Sequence, residues 1–168
     1  MFTLGLFIDL TNAFDLLDHI LLLRKLERYG VRGTPLALIC SYLSQRSQYV
    51  NTPQCSSSIL PTSIGVPQGS ILGPFLFLVF INNLPQPLPC KSVLYADDTT
   101  LFISGLALEQ VYKDANIALR ELSCWLVSNK LVVNLNKTSY VLFHSKNKQI
   151  TTNHNVTFLN TTIQRSPS

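Results

Sequence analysis

Three aspartates lie beside short apolar runs, where a carboxylate is costly to place. Asp9 comes at the end of one run, and Asp97 and Asp98 lie between two further runs, 92–96 and 99–104. Burying a carboxylate beside apolar strands is unfavourable unless a cation or hydrogen-bond donor meets it. A divalent cation relieves both this cost and the repulsion between neighbouring carboxylates, and Mg²⁺ binds one or two carboxylates together with phosphate oxygens. The residue types therefore suggest a metal site, although an isolated Asp-Asp pair is more often only a polar turn.

The elements that would position these aspartates follow from apolar periodicity and turn residues. Asp97 and Asp98 occupy the tip of a predicted hairpin, and Asp9 ends a predicted buried strand. Four helices are predicted: one after a cap at Asp15 or Asp18, one from Pro35, one after a cap at Ser70 and one from Leu108. Further strands are predicted at 48–51, 59–64, 132–135 and 139–143. The order β-α-α-β-β-α-β-β-α-β predicts an α+β fold, an antiparallel sheet backed by helices on one face.

Composition limits the domain organisation and the classes of protein. The chain has 168 residues, enough for one domain with a core, and we expect that domain over 1–144, followed by a polar, weakly ordered tail over 145–168. Charged residues make up 13%, about half the usual ~25%. This deficit suggests that neighbouring segments cover part of the surface. The net charge of +4 suits an anionic partner without identifying one.

Nothing in the sequence predicts secretion or a membrane span. The longest apolar run, 71–81, is too short to cross a bilayer, and the first ten residues lack the basic leader of a signal peptide. The four cysteines form no CxxC pair and predict free thiols. We therefore expect an intracellular protein, nuclear or cytoplasmic.

Four segments in order give the aspartates a context. They read FIDLTNAFD at 7–15, GVPQGSILGP at 65–74, YADDTTLF at 95–102 and NLNKTSYVLF at 134–143. In this order they resemble motifs A, B, C and D of reverse transcriptases, most closely those of LINE-type (non-LTR) retrotransposons. The resemblance extends over about residues 4 to 143, and four ordered motifs are far more specific than any one of them.

The resemblance implies a polymerase palm that acts as an RNA-directed DNA polymerase. Asp9 matches the metal ligand of motif A, and Asp97 and Asp98 match the pair of motif C, in which Asp97 would be the more direct ligand. Two Mg²⁺ ions held by these groups would activate a primer 3′-hydroxyl and stabilise the leaving pyrophosphate.

Further positions match residues that contact the nucleotide. Phe14 matches the aromatic residue that excludes a 2′-hydroxyl, although it could also be an ordinary core residue. Gln68 and Gly69 match the motif B turn that supports the incoming nucleotide and the template, and they also suit a simple helix-entry turn. Lys137 matches the motif D lysine that would protonate pyrophosphate, although a lone lysine is often only a surface residue. Asn12 departs from the family, which often has Lys or Arg there, but the change removes no metal ligand.

The implied partners are an RNA template, a DNA primer and deoxynucleoside triphosphates. The family's fingers and thumb segments, parts of a longer polyprotein, have no counterpart in the sequence, so we expect a palm fragment with little activity of its own. Two alternatives share these motifs: a non-catalytic retrotransposon remnant with a weak nucleic-acid-binding or interaction role, and a metal-dependent nuclease. The order of motifs B and D argues against the nuclease.

Overall fold

The computed structural model describes residues 1–145 and 154–166. The chain forms two compact units. The first unit consists of Met1–Ala13 and Asn83–Ser168, and the second consists of Phe14–Asn82. The domain expected over 1–144 includes all of the second unit and most of the first.

A five-stranded sheet organises the first unit. Its strands are β1 (Phe2–Ile8), β4 (Lys91–Tyr95), β5 (Asp98–Gly105), β6 (Ser139–His144) and β9 (Gln164–Arg165), in the order β4-β5-β1-β6-β9. β1 is central and pairs antiparallel with both β5 and β6. The short β9 runs parallel to β6, so the sheet is mixed and not purely antiparallel as predicted.

The helix α4 (Leu108–Ser128) covers one face of this sheet. Side chains alternate along a strand, and the alternate β1 residues Leu4, Leu6 and Ile8 are buried. The predicted apolar stripe of the helix is buried as well, at Val111, Ala115, Ala118, Leu119, Leu122, Trp125 and Leu126. Gly105 allows close packing there, because a Cβ at this position would lie 2.9 Å from Cγ2 of Val111.

Three helices and a two-stranded sheet form the second unit. They are α1 (His19–Arg28), α2 (Thr34–Leu43), β2 (Arg46–Gln48), β3 (Leu60–Thr62) and α3 (Leu72–Ile81), and α1 contacts both other helices. The helix boundaries follow local rules: Asp18 caps α1 by accepting from the Leu21 N–H at 2.9 Å. The Ser70 hydroxyl accepts from the Gly73 N–H at 3.0 Å, although the N-cap position of α3 is Ile71 and not Ser70 as predicted.

Within the part that the structure describes, the C-terminal segment contains regular structure. Two short strands, β7 (Thr157–Phe158) and β8 (Thr161–Thr162), form a hairpin that precedes β9. Val156, Phe158 and Ile163 are buried. These three apolar side chains stabilise the segment by their burial, although the stretch that contains them is mostly polar. The expected tail also includes 146–153 and 167–168, which lie outside the described residues.

The predicted strand at 132–135 is the other local difference. Only an isolated bridge between Leu10 and Val133 forms there. The Asn134 N–H donates to the Asp9 carbonyl at 2.8 Å, so this segment is held as a loop beside the end of β1.

Candidate active site

The pairing of β1 with β5 brings two of the predicted carboxylates to the same level. The last pair of the ladder is Ile8 with Thr99, so the next residue of β1, Asp9, lies beside the preceding residue of β5, Asp98. Ile8 and Thr99 are both buried. Because side chains alternate, Asp9 and Asp98 belong to the opposite, open face of the sheet.

A tight turn at the end of the β4-β5 hairpin holds the other motif C aspartate. Tyr95 pairs with Asp98, which leaves Ala96 and Asp97 as the turn residues. Ala96 has φ +52, a left-handed conformation that costs a residue with a Cβ about 1–2 kcal/mol. The hairpin therefore maintains a strained turn directly before the paired carboxylates.

The loop before β6 brings a lysine to Asp9. The Nζ atom of Lys137 lies 3.9 Å from Oδ2 of Asp9. The loop is anchored by Thr138, whose hydroxyl donates to the Asn134 carbonyl at 2.9 Å and accepts from the Asp9 N–H at 3.3 Å. Thr138 is buried, while the Lys137 side chain is 69% exposed and that of Asp9 29%. The lysine is thus fixed at its backbone, while its mostly exposed ammonium lies beside the Asp9 carboxylate.

Together these elements form an open hollow of about 220 Å³ on the first unit. It is lined by Phe7, Ile8, Asp9, Asp98, Thr99, Thr100 and Lys137. Asp97 does not line it. The structure therefore brings Asp9, Asp98 and Lys137 together and leaves Asp97 beside them on the turn.

The donor set can be tested against a magnesium ion. Within 1–145 and 154–166, no three His, Cys, Asp or Glu side chains gather closely enough to hold a metal by themselves. Mg²⁺ does not require such a cage, because it is usually bound by one or two carboxylates together with waters and substrate phosphates. Asp9 and Asp98 fit one such ion, and a second ion would need Asp97 and the substrate.

The remaining predicted site residues belong to the second unit. Phe14 is half-buried, and its ring packs on that of Phe77 with centroids 4.6 Å apart. Gln68 is exposed and donates from Nε2 to Oδ1 of Asp15 at 2.9 Å. Gly69 is exposed in a left-handed conformation with φ +79. These contacts fit a core or turn residue as well as a nucleotide contact.

Several residues that connect motifs A and B were not assigned a role from the sequence. Val66 N–H donates to the Phe14 carbonyl at 2.9 Å, and Gly65 N–H donates to the Leu17 carbonyl at 2.7 Å. A Nε2 atom of His19 lies 2.7 Å from the Gly65 carbonyl oxygen. Backbone hydrogen bonds thus join the end of motif A and the residues after it to the start of motif B. The spacing of these residues along the chain did not predict the contacts, because His19 and Gly65 are 46 positions apart.

Comparison with known proteins identifies the family. Residues 2–163 match the family of reverse transcriptases (RNA-dependent DNA polymerases). Among curated relatives, the RNA-directed DNA polymerase from mobile element jockey of Drosophila melanogaster is 30% identical over 153 residues, 86% of this chain and 17% of the relative. The protein of the same name from Drosophila funebris is 30% identical over 145 residues, 82% of this chain and 16% of the relative. The chain thus spans about a sixth of the length of these relatives.

Solved structures support the fold. Telomerase from Candida albicans, solved with a fragment of telomeric RNA, matches with a TM-score of 0.58 at 15% identity, over 88% of this chain and 28% of that one. Apo telomerase from Candida tropicalis matches with a TM-score of 0.59 at 14% identity, over 88% and 32%. These neighbours confirm the predicted α+β polymerase palm fold. The four motifs, the fold and the family match lead to one assignment. This chain belongs to the reverse transcriptase family, and its homologues are polymerases of LINE-type retrotransposons.

Proposed function

We propose that this chain is the catalytic palm of an RNA-directed DNA polymerase, which transfers a nucleotide from a deoxynucleoside triphosphate to a primer 3′-hydroxyl on an RNA template. One observation carries the proposal. Asp9 and Asp98 lie beside each other on adjacent strands and line one open hollow together with Lys137. A longer polyprotein would supply the rest of the enzyme. Its nucleic-acid substrates imply an intracellular site of action, nuclear or cytoplasmic.

The metal ions of the proposal are two Mg²⁺, held by Asp9, Asp97 and Asp98. When bound, they would supply charge neutralisation for the attacking hydroxyl and the leaving pyrophosphate. The protein's part is to hold the carboxylates at a fixed level through the β1-β5 ladder. Lys137 is well placed for its proposed role, because its exposed ammonium can donate a proton to pyrophosphate while its base is fixed by the loop.

Phe14, Gln68 and Gly69 carry the proposed contacts to the nucleotide and the template. Phe14 would exclude a 2′-hydroxyl, because a flat ring against the sugar leaves no room for the additional oxygen. Gln68 and Gly69 would support the incoming nucleotide and the template, since a glycine permits close approach of the backbone. The partial exposure of Phe14 and the exposure of Gln68 and Gly69 support these roles.

The experiment compares single Asp→Asn variants of the full-length polymerase of which this chain would be part. Asp9→Asn and Asp97→Asn are expected to abolish primer extension while leaving the fold intact, because the amide keeps the shape and removes the charge that holds the metal. Asp98→Asn tests the carboxylate that lines the hollow. Asp114→Asn is the matched control, because Asp114 lies on α4 and accepts a hydrogen bond from Gln110 that an amide can also accept.

Primer extension on an RNA template and Mn²⁺ binding are the two measurements. The expected result is loss of both in the site variants and of neither in Asp114→Asn. A well-folded Asp97→Asn enzyme with normal extension would reject the role of Asp97. Strand degradation in place of extension by the unaltered enzyme would favour the nuclease alternative.

A further inference from the structure

The strand β4 lies at the edge of the sheet with an apolar surface uncovered. It pairs with β5 on one side, and no other strand of the described residues borders it. On its outward face Val93 is 56% exposed and Tyr95 is 81% exposed. Proteins usually protect an edge with several charges, a proline or a bulge. β4 has a continuous register, no proline, and one charge, Lys91, at its start.

The backbone of β4 is oriented to accept another strand. The hairpin turn contains two residues, so the closing pair Tyr95–Asp98 is hydrogen-bonded. Bonded and non-bonded pairs alternate along an antiparallel ladder. Ser92 and Leu94 therefore direct their N–H and C=O groups away from β5, toward the open edge.

We propose that two copies of this chain associate by antiparallel pairing of their β4 edges, with the twofold axis at Val93. This register sets Val93 opposite Val93 of the second copy. Ser92 of each copy then lies opposite Leu94 of the other, and Lys91 lies opposite Tyr95. It is the register that pairs all five residues of β4 with their counterparts.

The chemistry of the edge favours a second copy as the partner. Ser92 and Leu94 are the residues whose backbone groups face outward, and in this register they bond to one another, giving four reciprocal hydrogen bonds. The ammonium of Lys91 meets the exposed ring of Tyr95, a favourable cation–π arrangement. Lys91 also approaches the acidic turn of the second copy, which follows Tyr95. No like charges are opposed, so the strand is complementary to itself.

Such an interface closes at two copies. A twofold pairing uses the same surface on both partners, so no β4 edge remains for a third copy. Five residues from each strand bury a small area, and contacts under about 1,000 Å² are characteristic of weak or transient association. We therefore expect a reversible dimer. In it the Lys91 end of each β4 lies beside the acidic turn of the other copy.

Disulfide trapping tests the register. In a chain with Cys40, Cys55, Cys90 and Cys124 replaced by Ser, we compare Val93→Cys with Tyr95→Cys under mild oxidation. The two Val93 positions form a non-hydrogen-bonded pair with Cα atoms about 4.5 Å apart, within the range that a disulfide bridges. A cysteine at 95 would face Lys91 instead. Val93→Cys should form the covalent dimer several-fold faster.

The control is informative because Tyr95 is the more exposed of the two positions. Random collision would favour crosslinking at 95, so equal or faster crosslinking of Tyr95→Cys would overturn the proposal. Absence of crosslinking at both positions would overturn it as well. Association through other apolar surfaces does not produce the pattern expected here.

Sedimentation of the unaltered chain and of edge variants gives an independent test. Ser92→Pro removes the outward N–H without removing a bond to β5, so it should shift the chain to monomer, whereas Ser92→Ala retains the N–H and should still dimerise. If Ser92→Pro fails to fold, Val93→Lys serves instead, because it opposes like charges at the axis. Its control is Val141→Lys on β6, an inner strand. Unchanged dimerisation of a folded Ser92→Pro or Val93→Lys chain would refute edge pairing.

Discussion

Gly65 and Gly69 share a backbone conformation but differ in their surroundings. Their φ values are +78 and +79. A Cβ at Gly65 would lie 2.7 Å from the backbone oxygen of Asp15, whereas a Cβ at Gly69 would meet nothing within 4 Å. At Gly65 glycine is therefore needed for close approach of motif A to motif B, and at Gly69 only for the turn.

This difference predicts unequal costs of the same substitution. Gly65→Ala should lower the free energy of unfolding by about 3 kcal/mol, because conformational strain of about 1–2 kcal/mol adds to a backbone clash. Gly69→Ala should cost only the strain, about 1 kcal/mol. Urea unfolding of both variants measures the difference. Equal losses would show that the contact with Asp15 yields without cost.

Phe14 provides a test of the proposed sugar selectivity. In the full-length polymerase, Phe14→Val should admit ribonucleotides more readily, by roughly tenfold or more, because the smaller side chain opens space for a 2′-hydroxyl. The measurement is the ratio of ribonucleotide to deoxynucleotide incorporation. Phe77→Leu is the control, since it alters the packing partner of Phe14 and leaves the ring in place. Unchanged selectivity in Phe14→Val would assign Phe14 to packing alone.

At the scale of elements, a lysine connects two helices of the second unit. Lys25 on α1 donates to the Phe80 carbonyl near the end of α3, and its Nζ lies 4.3 Å from the centroid of the Phe80 ring. Burial, followed by repulsion from Arg28, lowers the pKa of Lys25 to about 8 from 10.5. The folded state thus binds this proton less tightly than the unfolded state does.

The lowered pKa predicts a stability that depends on pH. Between pH 8 and 10.5 the unfolded chain retains the proton that the folded chain has lost, so the contribution of Lys25 to stability rises with pH. It is fully present above pH 10.5 and is lost as pH falls through 8. The gain should be about 1–2 kcal/mol, because solvent screening reduces the effect at a partly exposed amine.

The measurement is the difference in unfolding free energy between the unaltered chain and Lys25→Met, taken at pH 7 and at pH values up to 10.5. As pH rises, the unaltered chain should become more stable relative to Lys25→Met. Lys113→Met, on the exposed side of α4, is the control and should give a pH-independent difference. A flat difference for Lys25→Met would show that the amine is as solvated in the folded state as in the unfolded state.

Elements that depend on local sequence were predicted well. The first ten elements follow the predicted order, and Asp18, Pro35 and Gly30 delimit helices as expected. The short strands β7, β8 and β9 were not predicted, because two-residue strands carry no periodicity. Asn116 on α4 contacts the first of these strands, because its Oδ1 accepts from the Thr157 N–H at 2.8 Å across 41 positions of sequence.

At the scale of the whole molecule, the chain presents the proposed catalytic groups but spans only about a sixth of its curated relatives. We expect the 168-residue chain to show little or no polymerase activity. Two metal ions can neutralise a triphosphate without aligning it with a primer end, and orientation contributes about 7–11 kcal/mol in the best cases.

The part of the molecule that the structure describes contains no helix long and apolar enough to span a membrane.

The measurement is extension of a primed RNA template by purified 1–168 with deoxynucleotides and Mg²⁺. The full-length polymerase is the positive control, and the Asp9→Asn chain sets the background. Robust extension by a monodisperse sample of 1–168 would show that the palm alone orients its substrates.

The sequence by itself determined the family, the α+β class and the set of candidate carboxylates, because motifs and apolar alternation are local properties of a chain. Only the tertiary structure decided which of these groups meet. The β1-β5 register places Asp98 and not Asp97 in the hollow with Asp9. The Thr138 hydroxyl fixes the Lys137 loop to Asp9 across 129 positions of sequence. Such long-range pairings depend on packing of the whole sheet against α4, and no local pattern records them.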